Sequence, residues 1–319
     1  MEAKLKFDDI QVSTKTFIVK TNLEIDIKKL FEFLPVMPYE IIPKRRGRKK
    51  KVLGPDPNRN IPNGSIITLD LVNNIRGVCL KKKKRKENKS TNYFRNALTV
   101  VMIVDKKKIN FKISGNGMFQ MTGCKFDKQA EDCIKFLWEC IKDTEPEKGL
   151  YKFHDPNITL FRALFIPAMR NIDFTLGFSL DRERLDQYFN NNTDYYSLFE
   201  TSIGYTGVNI KIPVSRPITS LSLKELIYKG EDWYKTRIIP YSKYLSTLKP
   251  REQRKKLECS RYTSFLVFQS GKTICSAMCE EFAREAFYEF MKIIEENKEK
   301  FRENLTFSQE QRDALPELQ

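Results

Sequence analysis

The sequence contains very little of what metal centres and hydrolytic active sites require. Only one of its 319 residues is a histidine, His154, and none of the seven cysteines forms a Cys-x-x-Cys pair. Structural zinc sites depend on such pairs together with histidine or further cysteines, so no metal site is predicted. We find no carboxylate cluster and no nucleophile beside a base, and we therefore predict no cofactor and no enzymatic activity.

Long hydrophobic runs are also missing. No run of eighteen or more apolar residues occurs, which predicts that no transmembrane helix and no membrane partner exist. The first residues, MEAKLKFDDIQVSTKTF, carry scattered charges in place of an apolar segment, so a secretory signal is not expected. An odd number of cysteines in a long chain favours free thiols in a reducing, intracellular compartment.

Positive charge is abundant. The formal net charge is +16, and part of it lies in the runs PKRRGRKKK (residues 43–51) and KKKKRK (residues 81–86). Such a charge favours an anionic partner, most often nucleic acid or an acidic membrane surface, although basic runs are often only solvated loops or localisation signals. An apolar fraction of 40% is ample for a buried core, so a folded protein is expected.

Two turn–strand–helix segments occur about 155 residues apart, which indicates an internal duplication. They read SGNGMFQMTGCKFDKQAEDCIKFLWECI (114–141) and SGKTICSAMCEEFAREAFYEFMKII (270–294). Each ends in an amphipathic helix, with apolar stripes at Ala130, Cys133, Ile134, Leu137 and Ile141, and at Phe282, Ala283, Ala286, Phe287, Phe290 and Ile294.

The order of elements in both halves predicts an α+β fold made twice. Each repeat is expected to be an antiparallel sheet with helices on one face. We place the first repeat at residues 1–150, with basic insertions near 43–64 and 81–92. The second repeat is placed at 151–300, with an insertion near 215–258, and residues 301–319 are expected to form a polar tail.

The stretch FQSGKT (residues 268–273) has two possible interpretations, a phosphate-binding loop or a β-hairpin. A Walker loop needs a glycine five residues before the Gly-Lys pair, but that position is Leu266. The residues after Lys272 also alternate like a strand. We therefore predict a hairpin.

Alternation along this hairpin predicts two different sheet faces. Phe265, Val267, Cys275 and Ala277 are expected to face the helices, while the opposite face carries Leu266, Phe268, Ile274 and Ser276. A face opposite to the helices is normally polar, so something should cover this apolar one. Either the 215–258 insertion folds over it, or a partner binds there.

The segment SFLVFQSGKTICSAM, followed by a long helix, resembles the signature of the TATA-binding protein family. MTGCK (residues 121–125) resembles the corresponding strand end of the other repeat. The basic insertions and the composition make the chain most similar to the divergent TATA-binding-like proteins of large nucleocytoplasmic DNA viruses. The resemblance implies a pseudo-twofold saddle whose concave face binds and bends DNA in the minor groove.

The resemblance also implies roles for particular residues. By position, Phe268 and Phe199 match a pair of phenylalanines that wedge between base steps, and Lys272 matches a lysine that contacts phosphate. The floor of the groove-binding face is matched by Leu266, Ile274 and Ser276, and the central asparagine by Asn171. In the first repeat, Thr122 matches the family's threonine at the corresponding strand end.

The first repeat departs from the family pattern elsewhere. Where the family has a valine on the floor of the groove-binding face, this chain has Gln120. The family's turn lysine is replaced by Met118 or Asn116, and its central asparagine by Asp9. No phenylalanine falls at a wedge position, although Phe111 and Phe94 lie near. Separately, Arg46-Gly47-Arg48 resembles the core of hook peptides that lie in A·T minor grooves, while a generic basic loop is the alternative.

These observations lead to a DNA-binding, TATA-binding-like transcription initiation factor. Its expected partners are A/T-rich double-stranded DNA, a B-type initiation factor and a viral RNA polymerase, and it is expected to be a monomer. The alternatives are a saddle that binds protein partners or DNA non-specifically, and a domain appended to an enzyme. A viral source would place it in a cytoplasmic virus factory or the virion, with the nucleus as the alternative.

Overall fold

A computed structural model describes residues 5–41, 56–72, 74–80, 96–144, 148–199, 206–230 and 233–303. Its strands are β1 (Val12–Thr21), β2 (Leu23–Ile25), β3 (Ile66–Leu71), β4 (Asn74–Gly77), β5 (Ala97–Val104), β6 (Lys107–Ser114), β7 (Met118–Cys124), β8 (Tyr151–Phe153), β9 (Arg162–Thr175), β10 (Tyr196–Leu198), β11 (Gly207–Pro213), β12 (Ser222–Gly230), β13 (Trp233–Pro240), β14 (Tyr262–Phe268) and β15 (Lys272–Ala277).

Seven helices lie among the same residues. They are α1 (Ile27–Phe33), α2 (Asp127–Ile141), α3 (Arg182–Asn192), α4 (Tyr241–Ser246), α5 (Pro250–Glu258), α6 (Glu280–Glu296) and α7 (Lys298–Phe301). The strands pair antiparallel in every described ladder, and helices pack against them. The predicted α+β class with antiparallel sheets is therefore confirmed.

The chain divides into two compact units. The C-terminal unit contains Met1–Ser13, Arg170–Pro217 and Glu258–Gln319, and the N-terminal unit contains Thr14–Met169 and Ile218–Leu257. The first residues of the chain thus belong to the C-terminal unit, and most of the 215–258 insertion belongs to the N-terminal unit. These units are defined by contacts, and the repeat limits predicted from the sequence stay a prediction.

The C-terminal unit contains the ladder β10–β11–β14–β15 and the end of β9. The predicted hairpin is present, with Leu266 opposite Ile274 and Ser264 opposite Ser276. Helix α3 begins where the side chain of Asp181 accepts hydrogen bonds from the backbone amides of Glu183 and Arg184. This cap satisfies amides that have no partner within the helix.

The core of this unit lies between the sheet and α6. All six residues of the predicted α6 stripe are buried, and the ring of Phe290 stacks on that of Phe265 with centroids 4.2 Å apart. Burial also raises the pKa of the Cys275 thiol to about 12, so this cysteine is a neutral core residue. All seven cysteines of the chain carry free thiols.

The N-terminal unit contains the ladder β1–β7–β6–β5–β3–β4. Helix α2 packs on it through its predicted apolar stripe, all five residues of which are buried. The backbone amides of Lys125 and Phe126 donate to the side chain of Gln129, which fixes the start of α2. The same core contains Leu98, Val100 and Met102, every second residue of β5.

The insertion is an integral part of the N-terminal unit. Strand β12 pairs with the first half of β9, and its Leu226 is 1% exposed within the core that α2 covers. Lys224 forms an ion pair with Glu131 of α2 at 2.5 Å, and the Tyr234 hydroxyl of β13 donates to Glu139. The hairpin β12–β13 therefore continues the sheet across α2.

Candidate nucleic-acid interface

We call the sheet surface opposite to the helices the free face of each unit. In the C-terminal unit the alternation predicted for β14 and β15 is confirmed. Phe265, Val267, Cys275 and Ala277 are buried towards the helices, and the side chains between them are partly exposed. The free face therefore presents Leu266, Phe268, Ile274 and Ser276.

Polar groups lie among these apolar side chains. Asn209 of β11 is opposite Leu266, and its neighbour Lys211 is opposite Ser264. On the other side of the hairpin, Asn171 is opposite Ser276, and Asp173 is opposite Ile274. The free face thus mixes aliphatic groups with hydroxyls, amides and a lysine. Asp173 is a carboxylate on this surface, and its Oδ1 lies 3.3 Å from the hydroxyl oxygen of Ser13.

The two phenylalanines with the implied wedge role lie around one arginine. The guanidinium of Arg182 lies over the ring of Phe199, 4.9 Å from its centroid, and donates to the carbonyl oxygen of Thr206 at 2.8 Å. Gly207, the next residue, is opposite Phe268 in the sheet. Arg182, Thr206 and Phe268 also line the same open depression. Both phenylalanines therefore lie at one end of the free face.

The hairpin tip depends on glycine. Gly271 has φ +77°, and a Cβ there would lie 2.3 Å from the carbonyl oxygen of Phe178. The amide of Gly271 closes the turn onto the carbonyl of Phe268 at 2.9 Å. This turn places the exposed Lys272 directly beside the end of β14. The geometry suits a lysine that projects towards an anion, as the resemblance implies.

Asn171 carries an unusual polar group. Its side-chain oxygen is buried and has no hydrogen-bond partner among the described residues. The backbone carbonyl of the same residue accepts from the Ser13 hydroxyl at 3.1 Å. An amide side chain has one acceptor oxygen and one donor NH2 group, so rotation of this amide would let Asn171 present either group to a ligand.

The free face of the N-terminal unit is more polar. Gln120 and Thr122 of β7 are exposed there, next to Lys112 and Asn110 of β6 respectively. The Thr122 hydroxyl donates to the Asn110 carbonyl oxygen at 3.1 Å. Ile18 of β1 is opposite Gln120 and adds an apolar group. This surface offers amides, hydroxyls and lysines with little aliphatic floor.

Part of this second free face is covered. Ile67, Val101 and Ile103 point away from the helices, yet all three are buried. Tyr39, Ile61 and Leu80, which come from connecting segments, pack over them. The covering explains why β3 and β5 are apolar on both faces.

Phe111 does not supply a wedge. It is 1% exposed in the core of the N-terminal unit, because it lies on the helix side of β6. Its ring lies 6.3 Å from that of Phe119. Met118 is half-buried at the start of β7, the Asn116 side chain accepts from the Met118 amide, and Asp9 is exposed in the 3-10 turn Phe7–Asp9.

Several predicted residues lie outside the described residues. These are Arg46 and Arg48 of the hook-like segment and Phe94. Among the residues that the structure describes, no group of three or more His, Cys, Asp or Glu side chains could hold a metal ion. No helix of the described part is long and apolar enough to cross a membrane.

Sequence reasoning missed four residues of the C-terminal unit's interface. Asn209 and Lys211 alternate with Val208 and Ile210 in GVNIKIP. This alternation predicts a strand with one buried face, so the sequence could have placed both polar residues on the free face. Asp173 follows Asn171 at the same spacing of two. Arg182 was not predictable, because its contact with Phe199 joins the start of α3 to the end of β10.

Both units thus define an α+β protein whose antiparallel sheets carry helices on one face and accessible side chains on the other.

No family model matches the sequence. The protein 335L of Invertebrate iridescent virus 6 is 26% identical over 305 residues, covering 92% of this chain and 85% of its own length. The "TATA-box-binding protein-like" protein of Acanthamoeba polyphaga mimivirus is 27% identical over 233 residues, 66% of this chain.

The alignment spans 57% of that mimivirus protein. Among solved structures, a TATA-binding protein from Methanococcus jannaschii matches with a TM-score of 0.41 and 13% identity, over 90% of this chain and 98% of its own. The predicted resemblance to the TATA-binding-like proteins of large DNA viruses is confirmed by the mimivirus relative.

Proposed function

We propose that this chain is a DNA-binding, TATA-binding-like initiation factor without enzymatic activity. The free face of its C-terminal unit contacts the minor groove of A/T-rich DNA. The observation that carries this proposal is the accessible row of Leu266, Phe268 and Ile274 among hydroxyl and amide groups. The similarity to a mimivirus protein named for TATA-box binding agrees with it.

The chemistry of this face suits A·T pairs. In the minor groove these pairs present only acceptor atoms and lack the guanine amino group, so aliphatic side chains can approach the floor closely. Hydroxyls of Ser264 and Ser276 and the amides of Asn171 and Asn209 can donate to those acceptors. A guanine amino group would instead meet Leu266 or Ile274, whose side chains have no acceptor atom. A buried donor without a hydrogen bond is unfavourable, so G·C pairs are disfavoured.

Positive charge at the margins would bind the sugar–phosphate backbone. Lys211 lies on β11, next to the edge strand β10, and Lys272 lies at the hairpin tip. Asp173 opposes such binding locally, because a carboxylate in an acceptor-rich groove is repelled. We therefore place the strongest base contacts towards β14 and β11, away from Asp173.

Phe199 and Phe268 would insert between base steps and kink the duplex. Unstacking a step costs a few kcal/mol, which the additional contact area of a bent duplex offsets. Arg182 lies over the Phe199 ring and would keep it oriented until DNA replaces that contact.

The test is a comparison of labelled A/T-rich and G/C-rich duplexes at two salt concentrations, with bending followed by energy transfer. We expect preference for A/T-rich duplex, and we expect Phe199→Ala with Phe268→Ala to abolish bending and weaken binding roughly tenfold or more. Phe126→Ala is the matched control, because this exposed phenylalanine precedes α2 on the helix side. Unchanged bending in the double variant would show that the wedge assignment is wrong.

The second candidate is a scaffold that binds protein or DNA non-specifically. It is favoured by the covering of Ile67, Val101 and Ile103, which removes part of the N-terminal free face from contact with DNA. A steep salt dependence without A/T preference would support this candidate over the first.

Under the first candidate, the bent DNA recruits a B-type initiation factor and a viral polymerase. A pull-down with purified factors on promoter DNA can test this recruitment.

A further inference from the structure

Helix α5 is an element without a hydrophobic anchor. None of its nine residues is buried. An isolated helix of this length is marginal in water, and a helix that is polar all round gains little from packing. Its only large apolar side chain, Leu257, is 47% exposed. Packing against the core of the protein therefore does not account for the presence of this helix.

The cations of α5 are arranged in one stripe. Arg251, Arg254 and Lys255 lie at i, i+3 and i+4, so their side chains project from the same side of the helix, and all three are exposed. None of the three has an ion-pair partner among the described residues. Like charges at this spacing destabilise a helix by a few tenths of a kcal/mol. An anion bound across the stripe would remove that repulsion.

A tyrosine of α4 connects α5 to the free face of the N-terminal unit. The ammonium group of Lys256 in α5 lies 5.7 Å from the centre of the Tyr244 ring. The ammonium group of Lys20 lies 5.9 Å from the same centre. Lys20 belongs to β1 and, like Ile18, alternates with the buried Phe17 and Val19, so it points away from the core that α2 covers. The last turn of α5 thus lies near Lys20 of β1, with the ring of Tyr244 between the two lysines.

From this placement we propose that α5 is a second DNA-binding element, one that binds backbone phosphates of a duplex lying on the free face of the N-terminal unit. The inference rests on the proposed function and adds a site in the insertion. Arginine and lysine in one stripe suit a row of phosphates. A lipid surface would require an apolar helix face, and α5 has only Leu257.

The experiment measures how DNA affinity depends on salt. Arg251→Gln, Arg254→Gln and Lys255→Gln are combined in one variant. A control variant combines Lys28→Gln, Lys29→Gln and Lys292→Gln, which removes the same charge from α1 and α6. Each phosphate contact contributes about 0.9 to the slope of log affinity against log salt, so the α5 variant should lose roughly 2 to 3 units of slope. The control should lose well under one unit, and A/T preference should persist in both.

Equal slopes for the two variants would overturn this inference and leave DNA binding by the free faces intact. Absence of binding by the unaltered protein at low salt would overturn both. Hydrogen exchange of the unaltered protein provides a measurement that needs no variant: duplex DNA should slow exchange of the α5 amides several-fold. If a polyglutamate chain slows it equally, α5 is a site for acidic polypeptides, and the assignment to DNA is wrong.

Discussion

At the scale of single residues, neighbours along β14 have opposite roles. Phe265 is fully buried and stacks on Phe290, whereas Leu266 lies on the free face beside Asn209. The backbone alone causes this difference, because successive strand side chains point to opposite sides. One position therefore contributes to stability, and the next one contributes to binding under the proposed function.

We expect Phe265→Ala to lower the free energy of unfolding by about 3 to 5 kcal/mol, because it leaves a cavity against Phe290. Leu266→Ala should cost less than about 1 kcal/mol and should weaken binding to A/T-rich duplex instead. Urea unfolding and duplex titration measure the two effects. Equal loss of stability in both variants would contradict the assignment of Leu266 to an accessible face.

At the scale of elements, a short N-terminal turn is attached to α6. The carboxylate of Asp8 accepts two hydrogen bonds from the guanidinium of Arg284, at 2.9 and 2.6 Å. Phe7 beside it is buried, and its ring centre lies 5.6 Å from that of Phe287. The pairing with Arg284 lowers the pKa of Asp8 below its ordinary value. An ion pair and one buried ring thus hold the turn Phe7–Asp9 in place.

This pairing predicts a pH dependence. Because the folded-state pKa of Asp8 is lowered, its contribution is present above the unfolded-state pKa of about 3.9 and is lost as the pH falls through the folded-state value. Asp8→Asn should therefore be less stable than the unaltered protein near pH 7, and the difference should disappear in strong acid. Urea unfolding over this pH range measures it.

Asp9→Asn provides the control, since Asp9 lies in the same turn and is exposed. This variant should be about as stable as the unaltered protein near pH 7, because an exposed side chain away from a specific contact contributes little. A stability difference for Asp8→Asn that stays constant into acid would contradict a role for the Asp8 carboxylate.

At the scale of the whole molecule, the insertion has two roles. One part, β12 with its Leu226, completes the core of the N-terminal unit. The other part, α5, contributes no buried residue and carries Arg251, Arg254 and Lys255, which have no ion-pair partner within the part of the chain that the structure describes. The net charge of +16 favours an anionic partner for the whole chain, but only the fold shows which cations border a free face.

We expect Leu226→Ala to lower the free energy of unfolding by about 2 to 5 kcal/mol, as for other buried leucines. The matched variant Leu257→Ala should change it by less than about 0.5 kcal/mol, because Leu257 is exposed on α5. Chemical unfolding monitored by tryptophan fluorescence suits this test, since Trp138 packs in the same core. Equal effects of the two variants would contradict the integral role of β12.

Local patterns predicted much of the fold and part of the site. The stripes of α2 and α6, the hairpin β14–β15 and its two faces follow from periods of 3.6 and 2 in the sequence. Phe111 was placed near a wedge position without use of its alternation with Ile109 and Ile113, both of which are buried like Phe111 itself. The cluster of Phe199, Arg182 and Phe268 joins three separate segments, which no local pattern encodes.

The sequence alone determined the α+β class, the apolar surface of the C-terminal hairpin and the net positive charge, from which an anionic partner is predicted. These properties depend on side-chain order and charge, which are local or additive quantities. Tertiary structure decided which surfaces stay accessible. Tyr39, Ile61 and Leu80 cover part of one free face, and the ring of Tyr244 lies between Lys20 of β1 and Lys256 of α5. Such outcomes depend on contacts between residues far apart in the chain, and the free energy of packing selects them only once the chain is folded.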